Sequence, residues 1–131
     1  MIDPLGEVYE ELSGNVELLA LMGNENVFTI AVPDDYQKFE SAPIIRINEI
    51  NNSRSAWADD AVVSIDVDIQ IDIWTRDYET LSQLTFKVDQ IMANLEYQQY
   101  NGITNKDPDI GLLRKARRYR ATKEVEVDIN L

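Results

Sequence analysis

Asp66, Asp68 and Asp72 stand at even positions of one run, with Asp59 and Asp60 just before it and Asp77 just after. Carboxylates gathered in this way can hold a divalent cation or work as an acid–base pair. Residues two apart on a strand, however, lie about 6 to 7 Å from each other, too far to share one ion without ligands from elsewhere. The chain also lacks an Asp-x-Asp-x-Asp-Gly loop followed by Glu. The plainer reading is a solvated outer face, and the functional alternative is a partner-facing or pore-lining surface. A second cluster comprises Arg114, Lys115, Arg117, Arg118, Arg120 and Lys123, half of the 12 Lys and Arg, with Tyr119 among them. Basic side chains around an aromatic ring suit nucleic acid. Against that, the chain has 24 Asp and Glu and a formal charge of −12, so the +6 segment is set against −18 elsewhere and a polyanion would be repelled. A basic patch that pairs with the acidic strand, within one subunit or between neighbours, accounts for both clusters. An exposed pair contributes only about 0 to 1 kcal/mol, so such pairing would set register and partner choice more than stability.

Most other chemistries are closed. With no Cys and no His, the chain has no disulfide, thiolate zinc site, imidazole base or Cys–His nucleophile pair. There is no Gly-rich phosphate loop, no Gly-x-Ser-x-Gly elbow and no Ser-x-x-Lys motif. A non-enzymatic protein without cofactor or metal is expected, with a carboxylate-dependent metal-binding enzyme using Asp66, Asp68 and Asp72 as the alternative. Trp57, in a polar stretch, and Trp74 are large apolar groups outside the core pattern, and interfaces favour Trp and Arg. Trp74 has a simpler explanation, packing under the helix that follows it.

The elements that must position these groups follow from periodicity. Val63, Ile65, Val67, Ile69, Ile71 and Ile73 take every odd position of a long strand, and Ser64, Asp66, Asp68, Gln70 and Asp72 every even one, so the two sets face opposite ways. At about 3.3 Å per residue the run spans roughly 36 Å and must bend or project beyond its sheet. Asp77 caps a long helix whose stripe is Leu81, Leu84, Val88, Ile91, Met92 and Leu95, which covers one face of the sheet. Upstream, Asp3-Pro4 starts a helix with Leu5, Val8, Tyr9 and Leu12 on one side, and Val16 to Met22 forms a second, closed by Gly23. Val27 to Val32 and Ile44 to Ile50 read as strands, Asn51 to Asp60 as a loop or hairpin tip, and Tyr97 to Ile103 as a further strand before a turn at Asn105 to Gly111. The last strand alternates Ala121, Val125, Val127 and Ile129 with Thr122, Glu124, Glu126 and Asp128.

The expected fold is α+β over residues 1–131 as one domain, with a mainly antiparallel mixed β-sheet and the N-terminal helices and one long helix packed on one face. The chain is 44% hydrophobic with 5 Gly and 4 Pro, enough for a real core. No apolar run approaches the roughly 18 residues of a membrane span, and no basic residue precedes Lys38, unlike a signal peptide, so a soluble protein made in the cytoplasm is expected.

The order of these parts resembles the small tail-completion or tail-terminator proteins of long-tailed bacteriophages and prophages, with their lambda tail terminator-like fold. The resembling stretches are Leu18-Leu19-Ala20-Leu21-Met22-Gly23 leading to Asn26-Val27-Phe28, then Ser41-Ala42-Pro43-Ile44-Ile45-Arg46. Val67 to Trp74 follows, with Asp77-Tyr78-Glu79 and the Leu84, Val88 helix, and finally Arg118-Tyr119-Arg120 before the closing strand. Asn51 to Asp60 and Asn101 to Gly111 depart from the family pattern. The resemblance implies a structural virion protein at the head-proximal end of the tail, assembled in the host cytoplasm, with no catalytic residues. It implies a homo-oligomer, a hexameric ring that caps the tail tube protein, ends tail polymerisation and presents the surface for head–tail joining to a head completion protein. DNA passes only through the lumen of the ring, and no membrane is involved. A head-side stopper or connector protein is the neighbouring alternative. Asp66, Asp68, Asp72, Trp57, Arg114, Arg117, Arg118 and Arg120 are the residues expected at subunit or partner interfaces, because a head-to-tail ring needs two different, complementary surfaces.

Overall fold

A computed structural model of the chain describes residues 3–56 and 62–126. Helix α1 spans Pro4–Ser13 and α2 spans Val16–Met22. Each begins where the sequence supplies a cap: Asp3 Oδ1 accepts from the Gly6 N–H at 3.1 Å and Asn15 Oδ1 from the Leu18 N–H at 2.9 Å. Gly23 ends α2 at φ 74°, a conformation open to glycine at little cost. Strands β1 (Val27–Thr29), β2 (Ile44–Ala56) and β3 (Val62–Thr75) follow, then helix α3 (Tyr78–Asn94), strand β4 (Gln98–Asp107) and strand β5 (Leu112–Glu126). Asp77 caps α3 as expected, its Oδ1 accepting from the Thr80 N–H at 2.8 Å.

The strands form one sheet in the order β1-β2-β3-β5-β4, antiparallel except for the parallel β1–β2 pair. Val67, Ile69, Ile71 and Ile73 of β3 are fully buried on one face beneath all three helices, where Val8, Leu12, Leu18, Leu84, Val88 and Met92 meet them. The α+β sheet with helices on one side therefore stands as the alternation of β3 required.

Three boundaries differ from expectation. The stretch assigned to a loop over Asn51 to Asp60 continues as strand to Ala56, because the long β3 needs a partner along its length and finds it in β2, with register shifts between Glu49 and Asn51 and between Arg54 and Ala56. The basic run is strand throughout: β5 begins at Leu112, and the Asn101 to Gly111 segment supplies most of β4 and the tight turn. The Val27 to Val32 strand stops at Thr29, since Ile30 lies at φ 71°, a left-handed conformation that a β-branched residue rarely takes.

A smaller apolar cluster, Val32, Ala42, Ile44, Trp74 and Leu112, sits on the face away from the helices. Trp74 belongs there by parity and not under α3. Among the described residues, no helix is long and apolar enough to cross a membrane.

Tyr97 is 4% exposed at the end of the main core, and its hydroxyl has no hydrogen-bond partner among the described residues. Burial, followed by the charges of Glu7 and Glu49, pushes its pKa up to about 12. An unpaired buried hydroxyl costs stability, so Tyr97→Phe is expected to stabilise the protein by about 1 kcal/mol. The melting temperature should rise by about 3 to 5 °C in thermal unfolding.

Candidate functional site

The face of the sheet that the helices leave open is a charge ladder built by period-2 alternation. The even-numbered residues of β3 point to it, and β5 lies beside β3 in a register that sets Asp66 opposite Thr122, Asp68 opposite Arg120, Gln70 opposite Arg118 and Trp74 opposite Arg114. Cross-strand neighbours share a face, so acidic and basic clusters far apart in sequence meet within one chain.

Asp72 is the centre of the ladder. Its side chain has no exposed surface, and it accepts from Arg46 Nε and Nη2 at 3.2 and 2.7 Å on Oδ2 and from Arg114 Nε and Nη2 at 3.1 and 2.7 Å on Oδ1. Gln70 Nε2 donates to both oxygens at 3.2 Å. Two planar guanidiniums thus share one carboxylate in fork geometry, which leaves an excess of one positive charge. The same two groups flank Trp74, 5.4 and 5.6 Å from its ring centroid, and Trp74 Nε1 donates to Asp107 Oδ2 at 3.3 Å.

Further along, Asp68 accepts from Arg120 Nε at 2.8 Å and Nη2 at 3.0 Å, and from the Tyr100 hydroxyl at 3.2 Å. The hydrogen bonds from Arg120 hold the Asp68 carboxyl below its ordinary value, against the opposing effect of burial; the charge of Arg120, the Tyr100 hydroxyl and the charge of Arg118 lower it further. A depressed folded-state pKa contributes stability above the unfolded value, and that contribution disappears as pH falls through the folded one. Asp68→Asn should therefore melt below the native protein at neutral pH, and the gap should narrow as pH falls below about 4, the ordinary Asp value, and close once Asp68 itself protonates below it. Asp66 receives the Thr122 hydroxyl at 2.8 Å, and Arg118, exposed, donates among the described residues only to the neutral Gln70 Oε1 at 3.1 Å. A hollow of about 390 Å³ lies between Arg114 and Arg118, lined also by Gln70, Gly102, Ile103 and Ala116.

Of the residues expected at interfaces, Asp66, Asp68, Asp72, Arg114, Arg118 and Arg120 gather on this one face. Arg117 does not. Its odd position turns it to the helix side, where its Nε and Nη2 donate to Asp89 of α3 at 3.0 and 2.7 Å and the Tyr119 hydroxyl joins them. Trp57 lies outside the described residues, as do Asp59 and Asp60. Arg46, Tyr100 and Asp89 were missed. The alternation of Ile45 and Ile47 already puts Arg46 on the polar face, whereas Tyr100 reaches Asp68 only through a register shift in β4 between Gln99 and Asn101. The metal reading does not fit these carboxylates, because the oxygens of Asp68 and Asp72 already accept from guanidiniums; among the described residues no three metal-binding side chains converge.

Among the described residues both margins of the sheet are open. β4 is an edge strand exposed almost throughout, and its residues Gln98–Asn105 carry neither charge nor proline. Ile103 is 60% and Tyr100 40% exposed on it. At the other margin β1 pairs only with Ile45, Arg46 and Ile47, so from Asn48 onward the outer edge of β2 has no strand partner among the described residues. Edges of this kind are templates for pairing with another chain.

Residues 6–129 match the model of the family described as tail completion protein gp17. Among solved structures the chain is similar to one from the virion of a native gene transfer agent particle, with a TM-score of 0.66 and 15% identity over 95% of this chain and 100% of that one. That likeness bears on the fold. No curated protein sequence matches the chain.

Proposed function

The chain belongs to the tail completion protein gp17 family of structural phage tail proteins, which are virion components and not enzymes, and from that premise we propose that it caps the tail tube as a hexameric ring at the head-proximal end. In this reading the ring ends tail polymerisation and offers the surface on which a head completion protein docks. The observation that carries it is the pair of sheet margins left without a strand partner among the described residues. β4 runs opposite to β2, because each step across β2-β3-β5-β4 is antiparallel. The β4 edge of one copy can therefore meet the β2 edge of the next as an antiparallel pair without turning either subunit over. Two different surfaces joined head to tail generate a ring when the rotation closes.

The charge ladder contributes differently. Asp68 and Asp72 are already paired inside the subunit, which keeps the open face stiff and nearly neutral in a chain of −12. Arg118 and the hollow beside it retain unspent positive charge for an acidic group on a neighbour. Six copies at −12 each would carry −72, so self-repulsion keeps the free protein monomeric or weakly associated at low salt, and the tube end supplies the template. The same negative charge lets DNA pass through the opening without sticking.

Deleting the gene from the phage tests the role. Overlong or unattached tails are expected; tails of normal length joined to heads would overturn it.

A further inference from the structure

The strand β4 meets solvent on both of its faces, and on the helix side this leaves a step. Register sets Gly102 beside Arg117, Thr104 beside Lys115 and Lys106 beside Leu113. Arg117 reaches α3 through Asp89, and Leu113 packs against the core beneath the helices, so Thr104, Lys106 and Lys115 lie on that same side. No helix covers Thr104 or Lys106, which are exposed, and Lys115 is partly so. These residues form the floor of the step.

The wall is α3. Ser82, Phe86, Asp89 and Ala93 follow at i, i+4, i+7 and i+11 and occupy one flank, and the bonds of Asp89 to Arg117 fix that flank as the one above β5 and β4. Phe86 stands out from it, 65% exposed. The outermost residues of α3 beyond its first turn, from Ser82 and Gln83 through Phe86, Gln90, Ala93 and Asn94, carry no charge, in a chain of which 27% is charged. Among the described residues neither Lys106 nor Lys115 forms a salt bridge, whereas Arg46, Arg114, Arg117, Arg120 and Lys87 all do.

A matching surface lies on the β1–β2 side of α3, across that helix from the step. Helix α1 packs over β1 and β2, and with the flanking Asp3 it exposes Glu7, Glu10 and Glu11 and has no basic residue. The five-stranded order separates α1 from the step, so a chain cannot bring its own α1 there. We infer that α1 of a second copy seats in the step between α3 and β4, with its carboxylates over Lys106 and Lys115 and its outer turns against Phe86. This rests on the ring reading above and makes it more specific. If β4 of one copy meets β2 of the next, the incoming α1 arrives on the helix side, over the uncovered floor and facing a wall whose exposed residues carry no charge and whose Asp89 is paired with Arg117.

The absence of cysteine makes the contact directly testable. A chain carrying Glu11→Cys and Ser82→Cys, assembled on tails and treated with a bismaleimide, is expected to give a ladder of cross-linked species up to six chains on a denaturing gel. Each single variant should give none. Adding Lys106→Glu and Lys115→Glu should reduce the ladder roughly tenfold, and adding Glu7→Lys and Glu10→Lys as well should restore it. Rings seen on tails by electron microscopy without this ladder would overturn the inference and leave the ring standing; tails without rings would overturn both. A Ser82-to-Ser82 dimer from the single variant would show a symmetric contact and overturn the inference alone.

Discussion

Asp72→Ala is expected to destabilise the protein by about 3 kcal/mol, because it strips the shared counter-charge from two guanidiniums at once. Arg46 and Arg114 are 27% and 29% exposed, so water recovers part of the loss but not most of it. For a chain of this length the melting temperature should fall by about 10 °C, with a matching decrease in the urea midpoint. The cause can be separated from a simple packing defect. Replacing Asp72, Arg46 and Arg114 together with Leu, Met and Met removes the charges in balance, and should recover most of the lost stability. If the triple variant remains as unstable as Asp72→Ala, the ladder acts through packing and not through charge.

The second large effect concerns assembly alone. Ile103→Lys places a charge within the uncharged stretch Gln98–Asn105 of the edge strand, the device by which sheets commonly prevent edge pairing. Ile103 is 60% exposed, so the folded monomer should lose no more than about 1 kcal/mol. The expected loss of about 1.4 kcal/mol per subunit contact is tenfold each. In a closed ring that penalty recurs at every contact, so capping of tails should be nearly abolished while circular dichroism and thermal melts barely change. Normal capping by Ile103→Lys would rule the β4 edge out of the ring contact.

The parts legible in the sequence are those set by local chemistry. Alternation of apolar residues at odd positions and aspartates at even ones in β3 specified both faces of the sheet before any partner strand was known. Asp3, Gly23 and Asp77 marked helix ends because side-chain caps and a left-handed glycine act within a few residues. The first part of strand β5, before Ala121, was hidden. Its run Arg114 to Lys123 has no apolar alternation, because three of its five odd positions are filled by Lys115, Arg117 and Lys123, which turn to the helix side of the sheet, where Asp89 and the Leu95 carbonyl take the charges of the last two. The basic run therefore read as a patch, although strand parity divides it between two faces. Which aspartate meets which arginine depends on the β3–β5 register, a long-range property that no short window contains. Trp74 shows the same limit: its even position pointed away from the helix side, against the expectation that it packs under α3, but the Asp107 that receives its Nε1–H lies 33 residues away.

Electron microscopy of tails isolated after assembly, with the protein located by antibody or by its density, tests the capping role most directly. One six-fold ring at the head-proximal end of each tube, and none elsewhere, is the predicted result. Density along the tube, at the distal tip, or on isolated heads but not on tails would contradict it.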